Sequence, residues 1–563
     1  MAKILGLMKH QEYALQRYAD KSVIPLFFSV GSGKTLSATV LALEKYSRGE
    51  IDAVLVIAPN GIDKQWANQE LPIYFRDLPN INPNWECGTM VYNNKKSKKP
   101  IPFVEGKLNF CCVNIDQFST VTAYQRYVTW ANAHRTLIIV DESTRIKNPK
   151  AKRTERLLYE FNNVVRRGRS IIKSEPKSVA RIILTGTPAT NGPFDLWSMF
   201  EFLRPNYFGI NWYAFQNKYG MYCSIDVNGR MIRILIDEAK WKQIKACTCF
   251  EMANMLYGVT LSTYTTVQMQ DKYQGPFKGV EELQKLIMED AMFVRTEDVV
   301  DMPERTYIKK MIDMSAEQTS AYRQMENEMI AQYKDKEMTA SSKLTMYLRL
   351  QQIASGFIST QDMPDRADYE SQDEFEKAVF EWAQDPPPKE ITWFDSVGKI
   401  DQLKTDMEEM QGVPLIIVTH FSAEAARIFD ELTKTGHKCC LITGWKRVGT
   451  IEGFQKGEYD VMVANIRVIS MGFNMQNAHH MIFYSNTFSL EDRIQVEGRI
   501  YRTGQKNTCI YIDYISADTI DMKVFAALSM KKTISDYIRD KGAEQLLHEW
   551  DKDCEEAFND VVF

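Results

Sequence analysis

The stretch VIPLFFSVGSGKTLSATVLALEKYS, Val23 to Ser47, decides the fold. A short apolar run comes first, then Gly31-Ser32-Gly33-Lys34-Thr35, then a pattern of helical period. A strand that turns through glycines into a helix lets backbone N–H groups face a phosphate. Gly31, Ser32 and Gly33 form such a cradle. Lys34 is placed to reach the β- and γ-phosphates of a nucleotide, and Thr35 to hold Mg²⁺. Two features count against this reading. Pro25 removes a ladder donor from the strand, and Phe28 stands where the strict phosphate loop has glycine. The plain alternative is a glycine turn carrying a surface lysine, and the flanking strand and helix speak against it.

Similar apolar runs recur outward from this stretch. Val23–Val30, Ala53–Ala58, Cys111–Ile115, Leu137–Val140 and Arg181–Leu184 form one block. Leu415–Thr419, Cys439–Ile442, Asp460–Ala464, Met481–Tyr484 and Ile510–Ile515 form another. Runs this short, alternating with helical patterns, read as buried strands of parallel sheets. The fold class is therefore α/β, with two doubly wound parallel-sheet lobes and helical insertions between and within them. The 563 residues allow three or four units at roughly 100–200 residues each. Residues 1–205 read as an N-terminal nucleotide-binding lobe. Residues 206–300 read as a mainly helical insertion with a β-hairpin turning at Asn228-Gly229. Residues 301–390 open a second lobe, with a helical protrusion and an acidic loop ending in Pro386-Pro387-Pro388. Residues 391–563 form the C-terminal lobe and its helices.

Bulk properties set limits. Net charge is −4, so any nucleic-acid site must be a local basic groove. Ten cysteines show no CxxC pair; Cys111–Cys112 and Cys439–Cys440 read as buried thiols in a reducing cytosol. No apolar run approaches ~18 residues, so no membrane span is expected. The start, MAKILGLMKHQEY, is too polar for a signal peptide. These features suggest a cytoplasmic protein, of a bacterium or a virus-infected host; a monomer is the expected state.

Three further segments carry chemistry. Asp141-Glu142 follows the strand LIIV, where a carboxylate projects into a ligand crevice. Asp141 would hold the Mg²⁺ shell and Glu142 would polarise an attacking water. Thr185-Gly186-Thr187 follows another strand, and its hydroxyls suit a coupling role between nucleotide state and the rest of the molecule. In QVEGRIYRTGQ, Gln495 to Gln505, Arg499 and Arg502 fall three apart on one face of an expected helix that Gly504 ends. Two arginines held this way can reach a phosphate that another part of the chain cradles.

The order of motifs resembles the Swi–Snf-type ATPases, double-stranded-DNA translocases of helicase superfamily two. MKHQEYAL, VLVIAPNGIDKQWANQEL, DESTRIKNPKAKRT, LTGTPATNGPFDLWSMFEFLRP, FVRTEDVVDMPERTYIKK, SVGKIDQLKTDM, SMGFNMQNAHHMIFY and QVEGRIYRTGQ match it in sequence and spacing, nearly end to end. The resemblance implies two RecA-like lobes, with ATP and Mg²⁺ as cofactors. It places Gln11 on adenine, Gly472 and Gln495 among the nucleotide-binding residues, and Arg499 and Arg502 on the transferring phosphate. Departures are Ser143-Thr144 for the usual Ala-His, Phe488 for a tryptophan, and ANIRVIS for a glycine-rich lead into Gly472-Phe473-Asn474. A compact viral or bacterial member is the expected kind.

The implied partner is DNA, double-stranded, gripped by phosphate contacts without base reading. Asn60, Lys64, Asn114, His420, Lys446, Arg447 and Ser470 are the candidates, with Phe488 stacking or wedging. Other replication, repair or transcription proteins are conceivable partners. The alternatives are a strand-separating helicase on DNA or RNA, and a non-hydrolysing nucleic-acid scaffold. Trp66 and Trp197 lie in apolar patterns and read as core.

Overall fold

A computed structural model describes residues 6–86, 89–92, 100–167, 170–227, 230–235, 267–268, 277–334, 340–359, 391–410, 412–470 and 474–540. The basic run 95–99, the Asn228-Gly229 turn, the acidic loop 361–388 and Gly472 lie outside the described residues. The chain separates into two compact units, the first containing the described residues up to Asp301 and again from Lys531, the second those from Met302 to Met530.

The first unit is built on a seven-stranded sheet. Its strands in chain order are β1 (Val23–Phe28), β2 (Ala53–Ala58), β3 (Thr89–Tyr92), β4 (Leu108–Asn114), β5 (Thr136–Asp141), β8 (Ala180–Leu184) and β12 (Met292–Val294). Two antiparallel pieces stand apart: β6 (Asn162–Arg167) with β7 (Ser170–Pro176), and β9 (Tyr222–Val227) with β10 (Arg230–Leu235) and β11 (Val267–Gln268). The sheet order is β12-β1-β8-β5-β2-β4-β3, and every pairing is parallel. Successive strand residues feed opposite faces, as the period of two requires. Ile24, Leu26, Val54 and Val56 pack with Leu36, Val40 and Leu43 of the helix Lys34–Ser47. Phe27, Leu55, Ile57 and Val140 pack with Met199 and Phe200 of the helix Asp195–Leu203. Burying each such aliphatic or aromatic side chain is worth roughly 1.5–3 kcal/mol. That is why the central strands read as unbroken apolar runs.

Pro25 is accommodated by register. Ser22 and Leu26 carbonyls accept from Arg181 N and Thr185 N, so alternation turns Pro25 toward β12, whose pairing starts only at Leu26↔Met292. The carbonyl of Asp290, just before β12, accepts from the Tyr18 hydroxyl at 2.5 Å. A side chain thus serves an acceptor next to the place where a ladder donor is missing.

The second unit repeats the plan. Its strands are β13 (Arg305–Ile312), β16 (Leu415–Thr419), β17 (Cys439–Ile442), β18 (Arg447–Val448), β19 (Val461–Asn465), β20 (His480–Phe483) and β21 (Cys509–Ser516), with a separate pair β14 (Phe357–Ser359)–β15 (Ile391–Trp393). The order is β13-β21-β20-β16-β19-β17-β18, parallel except for the β17–β18 hairpin. The FVRTEDVVDMPERTYIKK segment is shared: Phe293 pairs in the first sheet, and the second sheet begins at Arg305. No helix among the described residues is long and apolar enough to cross a membrane.

Candidate functional site

In the first unit, the chemistry-bearing residues gather at the carboxyl ends of the parallel strands. That is where open α/β sheets form their crevice. β1 runs out at Phe28, which is fully buried and still strand, so the turn needs no glycine there. Gly31 and Gly33 both take left-handed conformations, with φ of 87° and 80°. Gly33 caps the helix Lys34–Ser47. A Cβ on Gly33 would run into Gln11 Nε2, which instead donates to the Gly33 carbonyl at 3.3 Å. Ser32 Oγ donates to Ser29 O at 2.6 Å, and His10 Nε2 lies 2.8 Å from Ser32 O. Thr296, just after β12, donates to Val30 O at 2.9 Å. The loop is therefore pinned by both neighbouring elements. Lys34 Nζ rests on Ser29 O at 3.4 Å, a weak bond that it can leave for a stronger anion.

Asp141 ends β5 and is buried. Its Oδ1 accepts from Glu142 N at 2.9 Å and its Oδ2 from Trp66 Nε1 at 2.8 Å. Burial pushes its carboxyl upward; the Trp66 bond and the Lys34 charge pull it back. Glu142 follows with φ +48°, a left-handed conformation rare for a residue with a side chain. Strain of this kind costs about 1–3 kcal/mol and concentrates at functional sites. Glu70 belongs to the same neighbourhood. It accepts from Gln65 Nε2 at 2.6 Å and Tyr74 Oη at 3.0 Å. Its carboxyl is raised by burial first and by the Asp141 charge, with the Thr35 hydroxyl close enough to lower it. Asp141 and Thr35 offer hard oxygen donors, which suit Mg²⁺ held by one or two carboxylates plus phosphates. No group of three or more His, Cys, Asp or Glu among the described residues forms a metal cage by itself.

Thr185, Gly186 and Thr187 are packed beside the loop. A Cβ on Gly186 would meet Phe28 O at 3.3 Å and Ser29 Cα at 3.4 Å. Thr185 Oγ1 accepts from Thr187 N at 3.1 Å. Ser143 is buried with its hydroxyl 3.2 Å from Met199 Sδ.

In the second unit, the helix stops short of the arginines. It spans Leu490–Glu497, with Gly498 at its C-cap. Arg499 and Arg502 sit in the turns beyond, so the expectation of one helical face for both is corrected. A network holds that helix on β21: Arg493 pairs with Asp513, and its Nε donates to Glu497 Oε1 at 2.6 Å. Arg499 is buried and donates to the Ser470 carbonyl. Arg502 is half-buried, and its guanidinium makes no hydrogen bond or ion pair among the described residues. Gln505 Nε2 ties the end of the turn to Ala478 O at 3.0 Å and Gln476 O at 3.1 Å. Gln495 is buried.

The candidate nucleic-acid contacts divide by exposure. Asn60, Lys64, Lys446, Arg447 and Phe488 are exposed. Asn114, His420 and Ser470 are buried, and among the described residues His420 Nδ1 has no hydrogen-bond partner. Asn114 Oδ1 accepts from Asp116 N, and Ser470 Oγ donates to Arg467 O. The His420 backbone bonds Ser485 and Asn465, while its ring stacks on Phe421 with centroids 4.2 Å apart. Burial holds the His420 ring at about 3, against an ordinary 6.5. Above pH 6.5 it is neutral folded or unfolded. Below that, only the unfolded chain takes up the proton, so stability falls from pH 6.5 toward pH 3. Between pH 7.5 and 5.0, His420→Phe should remove about 2 kcal/mol of this pH-dependent loss. Urea unfolding of both forms at the two pH values measures it.

Trp66, Glu70, His10 and Thr296 were absent from the sequence-derived site. Trp66 is core, as its pattern suggested, but its indole N–H is committed to Asp141.

Two α/β units, one with a glycine loop, lysine and strand-end carboxylate, fit a helicase-like ATPase, the class to which the matched families belong. Residues 12–356 match the SNF2-related domain and residues 398–504 the helicase conserved C-terminal domain, and the chain belongs to the SNF2-related family. Protein p41 of Acyrthosiphon pisum secondary endosymbiont phage 1 is 22% identical over 541 residues, covering 94% of this chain and 97% of p41. YwqA of Bacillus subtilis, assigned as an ATP-dependent helicase/translocase, is 24% identical over 423 residues, covering 73% of this chain and 36% of YwqA. Human SWI/SNF-related matrix-associated actin-dependent regulator of chromatin subfamily A member 1 is 21% identical, covering 91% of this chain and 41% of that protein. The chain thus spans well under half of the latter two relatives.

Proposed function

We propose that this protein is a DNA-dependent ATPase that moves along duplex DNA and remodels protein–DNA or branched DNA structures. One observation carries the hydrolytic part: the pinned Gly31–Thr35 loop lies at the carboxyl end of the same parallel sheet as Asp141 and strained Glu142. In this reading Gly31, Ser32, Gly33, Lys34 and Thr35 hold the phosphates and Mg²⁺, and Gln11 reads adenine. Asp141 completes the metal shell, and Glu142 polarises the attacking water. Thr185, Gly186 and Thr187 relay the nucleotide state. Arg499 and Arg502 belong to the second lobe's share of the reaction. Asn60, Lys64, Lys446, Arg447 and Phe488 form the DNA-facing set.

The experiment is ATP hydrolysis with duplex DNA, single-stranded DNA, RNA or no nucleic acid. Stimulation by duplex without strand release is the expected result. Strand release would favour a helicase, and silence with every cofactor would overturn the motor reading. Duplex affinity should fall linearly on a log–log plot against salt, with a slope of about −0.9 per phosphate contacted. A flat response in an anisotropy titration would mean that phosphates are not the track.

A further inference from the structure

Between the short helix Ile62–Gln65 and the helix Leu71–Asp77, the backbone loosens into one π-helical turn, Trp66–Glu70. π-turns inside helices are uncommon and frequently occur at functional sites. This one presents two side chains to the carboxylate site. Trp66 is 1% exposed, and its indole N–H has a single proton to give. It gives that proton to Asp141 Oδ2, 75 residues along the chain. Four residues on, Glu70 is steadied by Gln65 and Tyr74 and lies within electrostatic reach of both Asp141 and Thr35.

We infer that the π-turn Trp66–Glu70 is a positioning element for the metal half of the nucleotide site. Trp66 fixes the rotamer of Asp141, and Glu70 braces the turn that carries Trp66 through its bonds to Gln65 and Tyr74. The inference rests on the proposed ATPase reading and adds two residues that act through Asp141 and through the turn itself. An ionised carboxylate has about four lone-pair sites. Asp141 uses one for Trp66 and one for Glu142 N, which locks the plane and leaves acceptor capacity on both oxygens. A buried carboxylate without the indole would turn, and each metal-binding event would have to reorder it. Partners that orient a metal ligand typically contribute 10–100-fold in metal affinity. A purely structural Trp66 would have no such signature, because its ring fills the core whether or not the N–H is present.

Trp66→Phe in the whole chain keeps an aromatic ring and deletes the N–H. Glu70→Ala is the companion variant, since Glu70 is only half-buried and its loss leaves the core intact. Binding of a fluorescent ATP analogue is measured in excess Mg²⁺ and in EDTA. Mn²⁺ binding in the presence of nucleotide is followed by EPR. For Trp66→Phe, affinity in EDTA should be unchanged, while the Mg²⁺-dependent tightening and the Mn²⁺ affinity fall about tenfold. Glu70→Ala, which loosens the same turn by removing the bonds to Gln65 and Tyr74, should show the same split. Variants that retain the wild-type tightening, or that lose affinity equally with and without metal, would overturn this inference alone. A wild-type protein with no metal-dependent tightening would overturn the ATPase reading, and this one with it.

Discussion

Lys34→Ala is expected to lower ATP turnover by about 10²–10³-fold or more while duplex binding persists. The magnitude follows from what the ammonium does in the proposed reaction. It is a fixed positive charge beside the β- and γ-phosphates, where negative charge grows as the bond breaks. The specificity follows from the structure. Lys34 is half-buried, and its only hydrogen bond among the described residues is the 3.4 Å bond to Ser29 O. Truncation opens no core cavity. The loop remains pinned by Gln11, His10 and Thr296. Phosphate release and duplex anisotropy, measured on the same preparation, decide the matter. Equal loss of both would make the lysine a structural residue.

Much of this fold was legible because its strands are short, apolar and buried on both faces. β2 and β5 coincide with apolar runs that no surface strand would carry. What escaped had no such signal. β13 is an edge strand, exposed along most of its length, and reads RTYIKKMI rather than as an apolar run. β12 is only three residues long. The phosphate loop was visible since everything it needs lies within a dozen residues. The Trp66–Asp141 bond was not, because it joins a helical turn after β2 to the end of β5, which only the parallel sheet brings side by side. The misplaced helix around Arg499 has a local cause. Spacing alone cannot distinguish three residues on a helix from three residues in successive turns, and Gly498 permits either. His420, Asn114 and Ser470 show a related ambiguity: a polar residue after a strand can cap the next turn as readily as face a ligand.

Arg502→Ala should reduce turnover by about 10³–10⁵-fold, the range for an arginine that stabilises charge on a transferring phosphoryl group. ATP affinity should change little, because the proposed interaction strengthens only as the phosphate departs. Arg499→Ala makes the informative contrast. Arg499 is 7% exposed and donates to Ser470 O, while its own carbonyl accepts from Met475 N at 3.0 Å. Removing its side chain leaves a buried carbonyl without that donor, so the protein should lose thermal stability as well as turnover. Among the described residues, the Arg502 side chain carries no such internal duty. Its substitution should leave the melting temperature unchanged, so thermal melting, measured beside DNA-stimulated turnover, should separate the two arginines. Loss of affinity without loss of kcat would remove Arg502 from the chemistry. A melting shift equal to that of Arg499→Ala would make Arg502 a residue of the turn.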